Sequence, residues 1–139
     1  MDRAWFTNLA NASASLNAQL QDVNWVGFYL FDGKELVLGP FQGLSACLRI
    51  PLSKGVCGAA ASSRKTVRVA DVSAFPGHIS CDTRSQAEIV VPMIFNGRLL
   101  GVLDVDSPIQ SRFDQQDQIG LEQIVATLIE GTVWPEKFL

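Results

Sequence analysis

The sequence predicts an α+β fold in which an antiparallel sheet is flanked by helices. The observations behind this prediction are an amphipathic helical pattern at each end of the chain and a series of hairpin signals between them. Each terminal helix has an apolar stripe that must be covered, so we expect both helices to pack on one side of the sheet. The 139 residues, of which 47% are hydrophobic, are about enough for one domain that spans 1–139.

The first half of the chain alternates between helix, strand and turn patterns. The N-terminal helix is predicted from apolar residues at helical spacing, namely Trp5, Leu9, Ala12, Leu16 and Leu20. The elements predicted after it are strands at Asn24 to Phe31, Lys34 to Leu38, Leu48 to Leu52 and Thr66 to Val69, with a short helix at Gly55 to Ser63. Gly39-Pro40 is expected to end the second strand.

The second half contains the clearest hairpin. The elements predicted there are a loop at Ser73 to Asp82, strands at Glu88 to Phe95 and Arg98 to Asp106, and a helix from about Gln115 to Glu130. Asn96-Gly97, between the two strands, is the strongest hairpin signal in the chain. Asp114 can cap the helix, whose buried face is expected to include Ile119, Ile124 and Leu128.

Composition and charge exclude several classes of partner. The chain has 11 basic and 14 acidic side chains, for a net charge of −3, and no run of Lys or Arg, so we predict no binding to nucleic acid. Apolar stretches such as Ile89 to Phe95 are shorter than the roughly 18 residues of a membrane span, and no basic segment precedes an apolar one at the N-terminus. We therefore expect no membrane contact and a cytoplasmic location.

The three cysteines, Cys47, Cys57 and Cys81, do not form a pattern typical of a structural site. Their odd number argues against a closed disulfide framework, and no two of them are close enough in sequence for a zinc-type pair. In a reducing compartment they would be reactive or buried thiols. We predict no metal ion and no cofactor.

Acidic residues interrupt the apolar pattern of the last predicted strand. Period-two alternation puts Leu100, Val102, Asp104 and Asp106 on one face, so two carboxylates continue an apolar row. A strand end that emerges into solvent would also explain Asp106. Clustered carboxylates raise at least one pKa, and such an acid can donate a proton near neutral pH. The cluster could instead hold a ligand's ammonium group or, less readily, a metal ion.

Glu88 is a third acid within reach, at the start of the partner strand. A two-residue turn at Asn96-Gly97 would pair Ile89 with Asp104 and point Glu88 to the opposite face. We therefore expect an irregularity near the start of the strand that brings Glu88 to the aspartates. Pro92, which cannot donate to the ladder, is a plausible position for it.

The cysteines differ in their surroundings. Cys81 lies at the end of the loop rich in Pro and Gly, and we expect it to be more exposed than a core cysteine. His78 could favour its thiolate form, although a loop histidine is commonly structural or solvated. Cys57 precedes a run of alanines and is expected to pack in a helix. Cys47 lies in a segment of small residues whose movement could bring it to another thiol.

Aromatic residues occupy one face of the first predicted strand. Trp25 and Tyr29 alternate with Gly27, which opens space between the two rings. A core stripe and an aromatic-walled pocket both fit this pattern.

Four segments form a recognisable pattern when taken in order. They are Asn24 to Tyr29 (NWVGFY), Pro76 to Asp82 (PGHISCD), Glu88 to Pro92 (EIVVP) and Leu103 to Asp106 (LDVD). Together they resemble motifs of the free methionine-(R)-sulfoxide reductases, which are single GAF domains. The similarity runs from about Asn24 to about Val125, with all three cysteines placed as in that family. It implies a GAF-like sheet and one GAF domain over 1–139.

The resemblance also implies a reaction, which is reduction of free methionine-(R)-sulfoxide and not of the residue within proteins. By motif, Cys81 would be the nucleophile, Cys47 the main resolving thiol and Cys57 a secondary one, with thioredoxin as the reductant of the spent enzyme. The acids and aromatic residues of the site would be Glu88, Asp104, Asp106, Trp25 and Tyr29. The acids would bind substrate and take part in catalysis, and the aromatic rings would line the pocket.

The chain departs from the family in places. Family members usually have a longer helical N-terminus, and the tail 131–139 matches nothing expected of the family, so a homodimer is left open. Ser80 and Arg84 vary the cysteine loop, and we expect them to alter the rate more than the reaction type.

Two other functions are compatible with parts of the pattern. A non-catalytic GAF module could bind a small ligand or sense oxidants, since one fold hosts many functions. Such modules normally lie beside output domains, and we expect no second domain here, which favours an enzyme. A cysteine hydrolase would need a Cys/His/Asp set for which only His78 is available.

Overall fold

Six strands form one antiparallel sheet in the computed structural model, which describes residues 1–79 and 81–138. Ser80, at which the cysteine loop was expected to vary, and Leu139 lie outside the described residues. The strands are β1 (Trp25–Phe31), β2 (Glu35–Gln42), β3 (Arg49–Pro51), β4 (Val67–Val69), β5 (Ala87–Phe95) and β6 (Arg98–Ser107), and the helices are α1 (Trp5–Gln19), α2 (Gly55–Ser63) and α3 (Gln115–Gly131). The strand order is β3-β2-β1-β6-β5-β4, which confirms the predicted α+β fold.

The sheet has a hydrophobic core on each face. On one face, Leu9 and Leu16 of α1 and Val125 and Leu128 of α3 pack in the same cluster, so the terminal helices share a side as predicted. On the other face α2 packs through small side chains such as Ala60, which let the helix lie close to the sheet. The candidate site lies on this α2 face.

Strand β2 does not end at Gly39-Pro40 and continues to Gln42, so the prediction of a strand end there is wrong. Gly27 of β1 pairs with Phe41, and Tyr29 pairs with Leu38, so two residues of β2 face one residue of β1 at this point. Such a β-bulge leaves a residue out of the ladder, and a proline, which has no N–H to donate, is tolerated there.

A second bulge, in the β5–β6 hairpin, decides which residues of these strands share a face. Met93 pairs with Gly101, and the next residue of β5, Ile94, pairs with Leu99, so Leu100 is an extra residue in β6. The expected irregularity therefore exists, but it lies beside the turn and not near the start of the strand. The proline of β5 belongs to the regular part of the ladder.

The extra residue reverses the alternation along β6. Leu100 packs on the face of α1 and α3, whereas simple alternation had placed it beside Asp104. Beyond Gly101 the pairing is regular and puts Glu88 opposite Asp106, so all three acids reach the α2 face. Gly101 has a φ of +156°, and a Cβ there would overlap the carbonyl oxygen of Tyr29, so this sharp bend requires glycine.

The C-terminal segment packs back on the start of the chain. Asp114 accepts from the Asp117 N–H and the Asp117 side chain accepts from the Asp114 N–H, a reciprocal cap for α3. Ile119 of α3 is 42% exposed, so its predicted burial is wrong. In the tail, which matched nothing expected, the Phe138 ring lies 5.0 Å from that of Trp5. In the described part of the chain, the helices are too short or too polar to cross a membrane.

Candidate active site

Three carboxyl groups from two neighbouring strands meet on the α2 face of the sheet. Glu88 of β5 pairs with Asp106 of β6, and Asp104 lies two residues before Asp106 on the same face. Their exposed fractions are 8% for Glu88, 5% for Asp104 and 8% for Asp106. The alternative in which Asp106 marks a strand end in solvent therefore does not apply.

Burial and mutual repulsion make these acids harder to ionise. Removal from water raises the pKa of Glu88, Asp104 and Asp106 well above their ordinary values, and the negative charge of a neighbouring carboxylate raises each pKa further. The cluster can therefore hold a proton near neutral pH and donate it to a bound ligand.

Cys57 lies in the first turn of α2, against the acid cluster. Its buried Sγ donates a long hydrogen bond of 3.9 Å to Glu88 Oε2, and burial followed by the charges of Asp104 and Glu88 raises the pKa of the thiol. The Cys57 sulfur and one oxygen each from Glu88 and Asp104 lie within 4.8 Å of one another. These atoms are of a kind that could bind a divalent cation, and the expectation of no metal stays a prediction.

The other two cysteines form a disulfide at the edge of the same site. The Cα atoms of Cys47 and Cys81 are 5.4 Å apart, and this is the pairing that the family resemblance implies. Both residues are half-buried. Cys57 is the free thiol.

A small polar network connects the residues that follow Cys81 to Asn24, which lies directly before β1. The Asn24 side-chain amide donates to Asp82 Oδ2 and Ser85 Oγ, both at 3.1 Å. Arg84 Nη2 donates to Asp82 Oδ2 at 2.8 Å, and hydrogen bonding from Arg84 is the main reason that the pKa of Asp82 is lowered to about 2. Our sequence reasoning did not assign this anchoring role. The Asp directly after the cysteine, with an Arg two residues later, was a signal for the Asp82–Arg84 contact but not for the bonds from Asn24.

Three aromatic rings stack along β1 and β2. The Trp25 ring lies 5.8 Å from that of Tyr29, with an angle of 25° between their planes, and 5.2 Å from that of Phe41, with an angle of 15°. A Cβ at Gly27 would collide with Phe41, so the glycine makes room for the stack. Burial is the main reason that the pKa of Tyr29 is raised, so its hydroxyl stays protonated.

A small pocket with a cavity volume of about 50 Å³ joins these groups. The predicted site residues that line it are Trp25, Tyr29, Cys57, Cys81, Glu88, Asp104 and Asp106. Cys47 is connected to it through the disulfide. Our sequence reasoning missed the apolar lining residues Ile50, Val56 and Ile79, because apolar side chains in short elements look like ordinary core residues.

Comparison with known proteins places this chain in a family. Residues 7–133 match the GAF domain family. A free methionine-R-sulfoxide reductase of Escherichia coli is 48% identical over 127 residues, covering 91% of this chain and 77% of the relative. The chain belongs to the free methionine-R-sulfoxide reductase family. A relative with the same name, from Saccharomyces cerevisiae, is 44% identical over 138 residues, covering 94% of this chain and 77% of the relative.

A solved structure supports the same membership. The X-ray structure of a free methionine-R-sulfoxide reductase from Neisseria meningitidis, in complex with its substrate, superposes with a TM-score of 0.89. The two sequences are 46% identical, and the match covers 93% of this chain and 78% of the other. The fold around the pocket is therefore that of the free methionine-R-sulfoxide reductase family.

Proposed function

We propose that this protein reduces free methionine-(R)-sulfoxide to methionine, with Cys81 as the nucleophile. The observation with most weight is that one pocket is lined by Cys81, by three acids with raised pKa values and by two stacked aromatic rings. Reduction of a sulfoxide needs a thiolate and a proton donor on the same substrate. Membership in the reductase family supports the same activity.

The first proposed step transfers the sulfoxide oxygen to the protein. The Cys81 thiolate attacks the sulfoxide sulfur, and a protonated acid of the cluster gives its proton to the sulfoxide oxygen. The new sulfur–sulfur bond and the S–O bond of the substrate then break as the hydroxyl group passes to Cys81, so the thiol is oxidised to a sulfenic acid and the sulfoxide is reduced to the thioether of methionine. Proton donation matters because an unprotonated oxide is a poor leaving group.

The second proposed step restores the enzyme. The Cys47 thiol attacks the sulfur of the Cys81 sulfenic acid, water is released and the Cys47–Cys81 disulfide forms. A dithiol reductant, for which we propose thioredoxin, reduces this disulfide and is itself oxidised to a disulfide. Cys57 would resolve the sulfenic acid only secondarily, because its buried thiol has a raised pKa and little thiolate.

We propose that residues 1–139 act as one domain in the cytoplasm. Reducing systems of that compartment keep dithiols such as thioredoxin available for the last step.

The acids also suggest why the substrate is a free amino acid. Among the described residues, no group donates a hydrogen bond to the buried Asp104 Oδ1 atom. An unpaired buried acceptor costs free energy, so a ligand that brings a donor is favoured. The ammonium group of free methionine sulfoxide is a charged donor, whereas a methionine residue inside a protein has a neutral amide N–H, which bonds a carboxylate more weakly. Trp25 and Tyr29 would then contact the methylthio end.

The direct test is consumption of each epimer of free methionine sulfoxide by the purified, reduced protein with a dithiol. We expect the R epimer to be consumed and methionine to appear. No loss of the R epimer would end the proposal. Equal rates with a peptide that contains methionine sulfoxide would contradict the assignment to the free amino acid.

Cysteine variants separate the two proposed steps. Cys81→Ser is expected to release no methionine, because the attacking sulfur is gone. Cys47→Ser should release about one methionine per molecule and then stop or slow, since only recycling needs the second thiol. Cys57→Ser removes a thiol but keeps the Cys47–Cys81 pair, and as the matched control it should still turn over with thioredoxin. If Cys81→Ser releases methionine as fast as the parent, the nucleophile is misassigned.

A further inference from the structure

The two aromatic residues of the pocket are hydrogen-bonded to the segment that contains the resolving thiol. This segment, residues 43–48, lies between β2 and β3. The Trp25 indole N–H donates to the Leu44 carbonyl at 3.1 Å, and the Tyr29 hydroxyl donates to the Cys47 carbonyl at 2.8 Å. Both aromatic side chains are therefore connected to the segment by their polar atoms while their rings line the substrate pocket.

The indole N–H of Trp25 and the hydroxyl of Tyr29 donate hydrogen bonds, which an aromatic ring alone cannot do. Trp25 and Tyr29 are each 2% exposed, so an unpartnered indole N–H or hydroxyl would be costly. A phenylalanine in place of Tyr29 would give the pocket the same aromatic wall. What the hydroxyl adds is the bond to the Cys47 carbonyl, because the one proton it has to donate is used there.

The segment's other support is the packing of partly buried Ala46 and Cys47 on the core of the α2 face and the Cys47–Cys81 disulfide. The segment forms no regular secondary structure, and at its end the Leu38 N–H donates to the Leu48 carbonyl at 3.0 Å. At its start, Gly43 has a φ of +138° and lies against Trp25, where an added Cβ would come within 2.5 Å of Trp25 Cδ1. In the described part of the chain, the two aromatic side chains thus hold the middle of the segment and shape its first turn.

We propose that Trp25 and Tyr29 are positioning residues for Cys47, and that they keep its thiol beside Cys81 while the disulfide is open. The inference rests on the proposed function, because it concerns the step in which the Cys47 thiol displaces water from the Cys81 sulfenic acid. Holding the two sulfur groups in one geometry raises the rate of this step without any contact to the reacting atoms. The side chains that would wall the substrate pocket thereby also prepare the protein for the disulfide.

Tyr29→Phe is the sharpest variant, because it keeps the ring and removes the hydroxyl. In a single turnover without dithiol, methionine release, which consumes one thiol, and loss of the second thiol, which marks disulfide formation, are followed on the same quenched samples. We expect the rate of disulfide formation, divided by the rate of methionine release, to fall about fivefold, as for one lost hydrogen bond. Trapping with dimedone should capture more sulfenic acid in the variant than in the parent. Trp25→Phe, which loses the bond to Leu44, should change the ratio in the same direction.

Phe31→Leu is the matched control. Phe31 lies two residues beyond Tyr29 on the same face of β1 and packs in the same cluster, so its truncation also loosens the strand. It should leave the ratio of the two rates at the parental value. An unchanged ratio in Tyr29→Phe, or an equal fall in Phe31→Leu, would overturn the inference.

A measurement without substrate keeps this inference separate from the proposed function. If the parent releases no methionine, the proposed function fails. The positioning role can still be measured from the equilibrium of the Cys47–Cys81 disulfide with glutathione, which reports how well the two thiols are held together. We expect Tyr29→Phe to shift this equilibrium about fivefold toward the dithiol. No shift would contradict the positioning role whether or not the protein reduces methionine sulfoxide.

Discussion

Asp104 is the most deeply buried of the three acids, at 5% exposure, and no described residue donates a hydrogen bond to its Oδ1 atom. In the proposed complex this oxygen accepts a hydrogen bond from the substrate ammonium group. Hydrogen bonds to charged groups are worth about 1.5–3 kcal/mol, so Asp104→Asn should lower kcat/KM for the R epimer by about tenfold or more. Steady-state kinetics with a dithiol in excess measures the effect.

Glu130→Gln is a suitable control for the loss of a carboxylate. Glu130 is exposed near the end of α3, on the opposite side of the sheet from the pocket, and its neutralisation should leave kcat/KM unchanged. If Asp104→Asn has parental kcat/KM, Asp104 does not bind the substrate.

At the scale of a single element, the bulge in β6 depends on Gly101. A Cβ at this position would overlap the Tyr29 carbonyl oxygen on the neighbouring strand, so Gly101→Ala must displace β1 or undo the bulge. We expect the variant to lose about 3 kcal/mol of unfolding free energy, as for overpacking at a site that cannot relax. Urea unfolding, followed by circular dichroism, measures the loss.

Gly97→Ala isolates the part of this cost that comes from backbone conformation. Gly97 has a φ of +78° in the hairpin turn, and an added Cβ meets no described atom within 4 Å. Its substitution should cost only about 1 kcal/mol. Equal losses in the two variants would show that steric overlap with β1 is not what makes Gly101 necessary.

The same hairpin shows how far the sequence alone could predict this fold. Local signals were sufficient for α2, whose bounds Gly55–Ser63 were predicted, and for the hairpin on either side of Asn96-Gly97. The bulges were not located, because an extra residue is stabilised by contacts across the sheet, such as the approach of Gly101 to Tyr29. Reasoning from register showed that an irregularity was needed to bring Glu88 to the aspartates, but not where it would lie.

The candidate site could likewise be predicted only in part. The acids could be found because charged residues in an apolar strand are conspicuous, and the disulfide pairing followed from the family resemblance. Two contributions could not be predicted, namely the anchoring of the Cys81 loop by Asn24 and the bond from Tyr29 to the Cys47 carbonyl. Both depend on tertiary contacts between segments that are distant in sequence.

For the whole molecule, the acid cluster makes folding stability depend on pH. The folded protein keeps protons on Glu88, Asp104 and Asp106 at pH values where the unfolded chain, with ordinary values of 4.5 for Glu and 3.8 for Asp, has lost them. Since the native state binds more protons in this range, its stability is highest at the acidic side and falls as the pH rises through the raised pKa values. We expect the unfolding free energy to drop by about 1 kcal/mol or more between pH 5 and pH 8.

Urea unfolding of the disulfide form at both pH values tests this expectation with the redox state held constant. Asp104→Asn removes one charge from the cluster, so it should flatten the dependence and make the protein more stable than the parent at pH 8. Greater stability of the parent at pH 8 than at pH 5 would contradict the raised pKa values.

The extra residue at Leu100 also limits how the length of this chain can change. Deleting one residue between the turn and Gly101 would restore regular pairing and leave Glu88 opposite Asp106, because every pair from Met93–Gly101 onward keeps its partner. Adding one residue to β5 between Met93 and the turn would give Leu100 a partner and have the same effect. Deleting one residue between Glu88 and Met93 would instead rotate Glu88 to the face covered by α1 and α3, away from the aspartates. Natural or engineered variants of this hairpin should therefore change length beside the turn and not between the acids and the bulge.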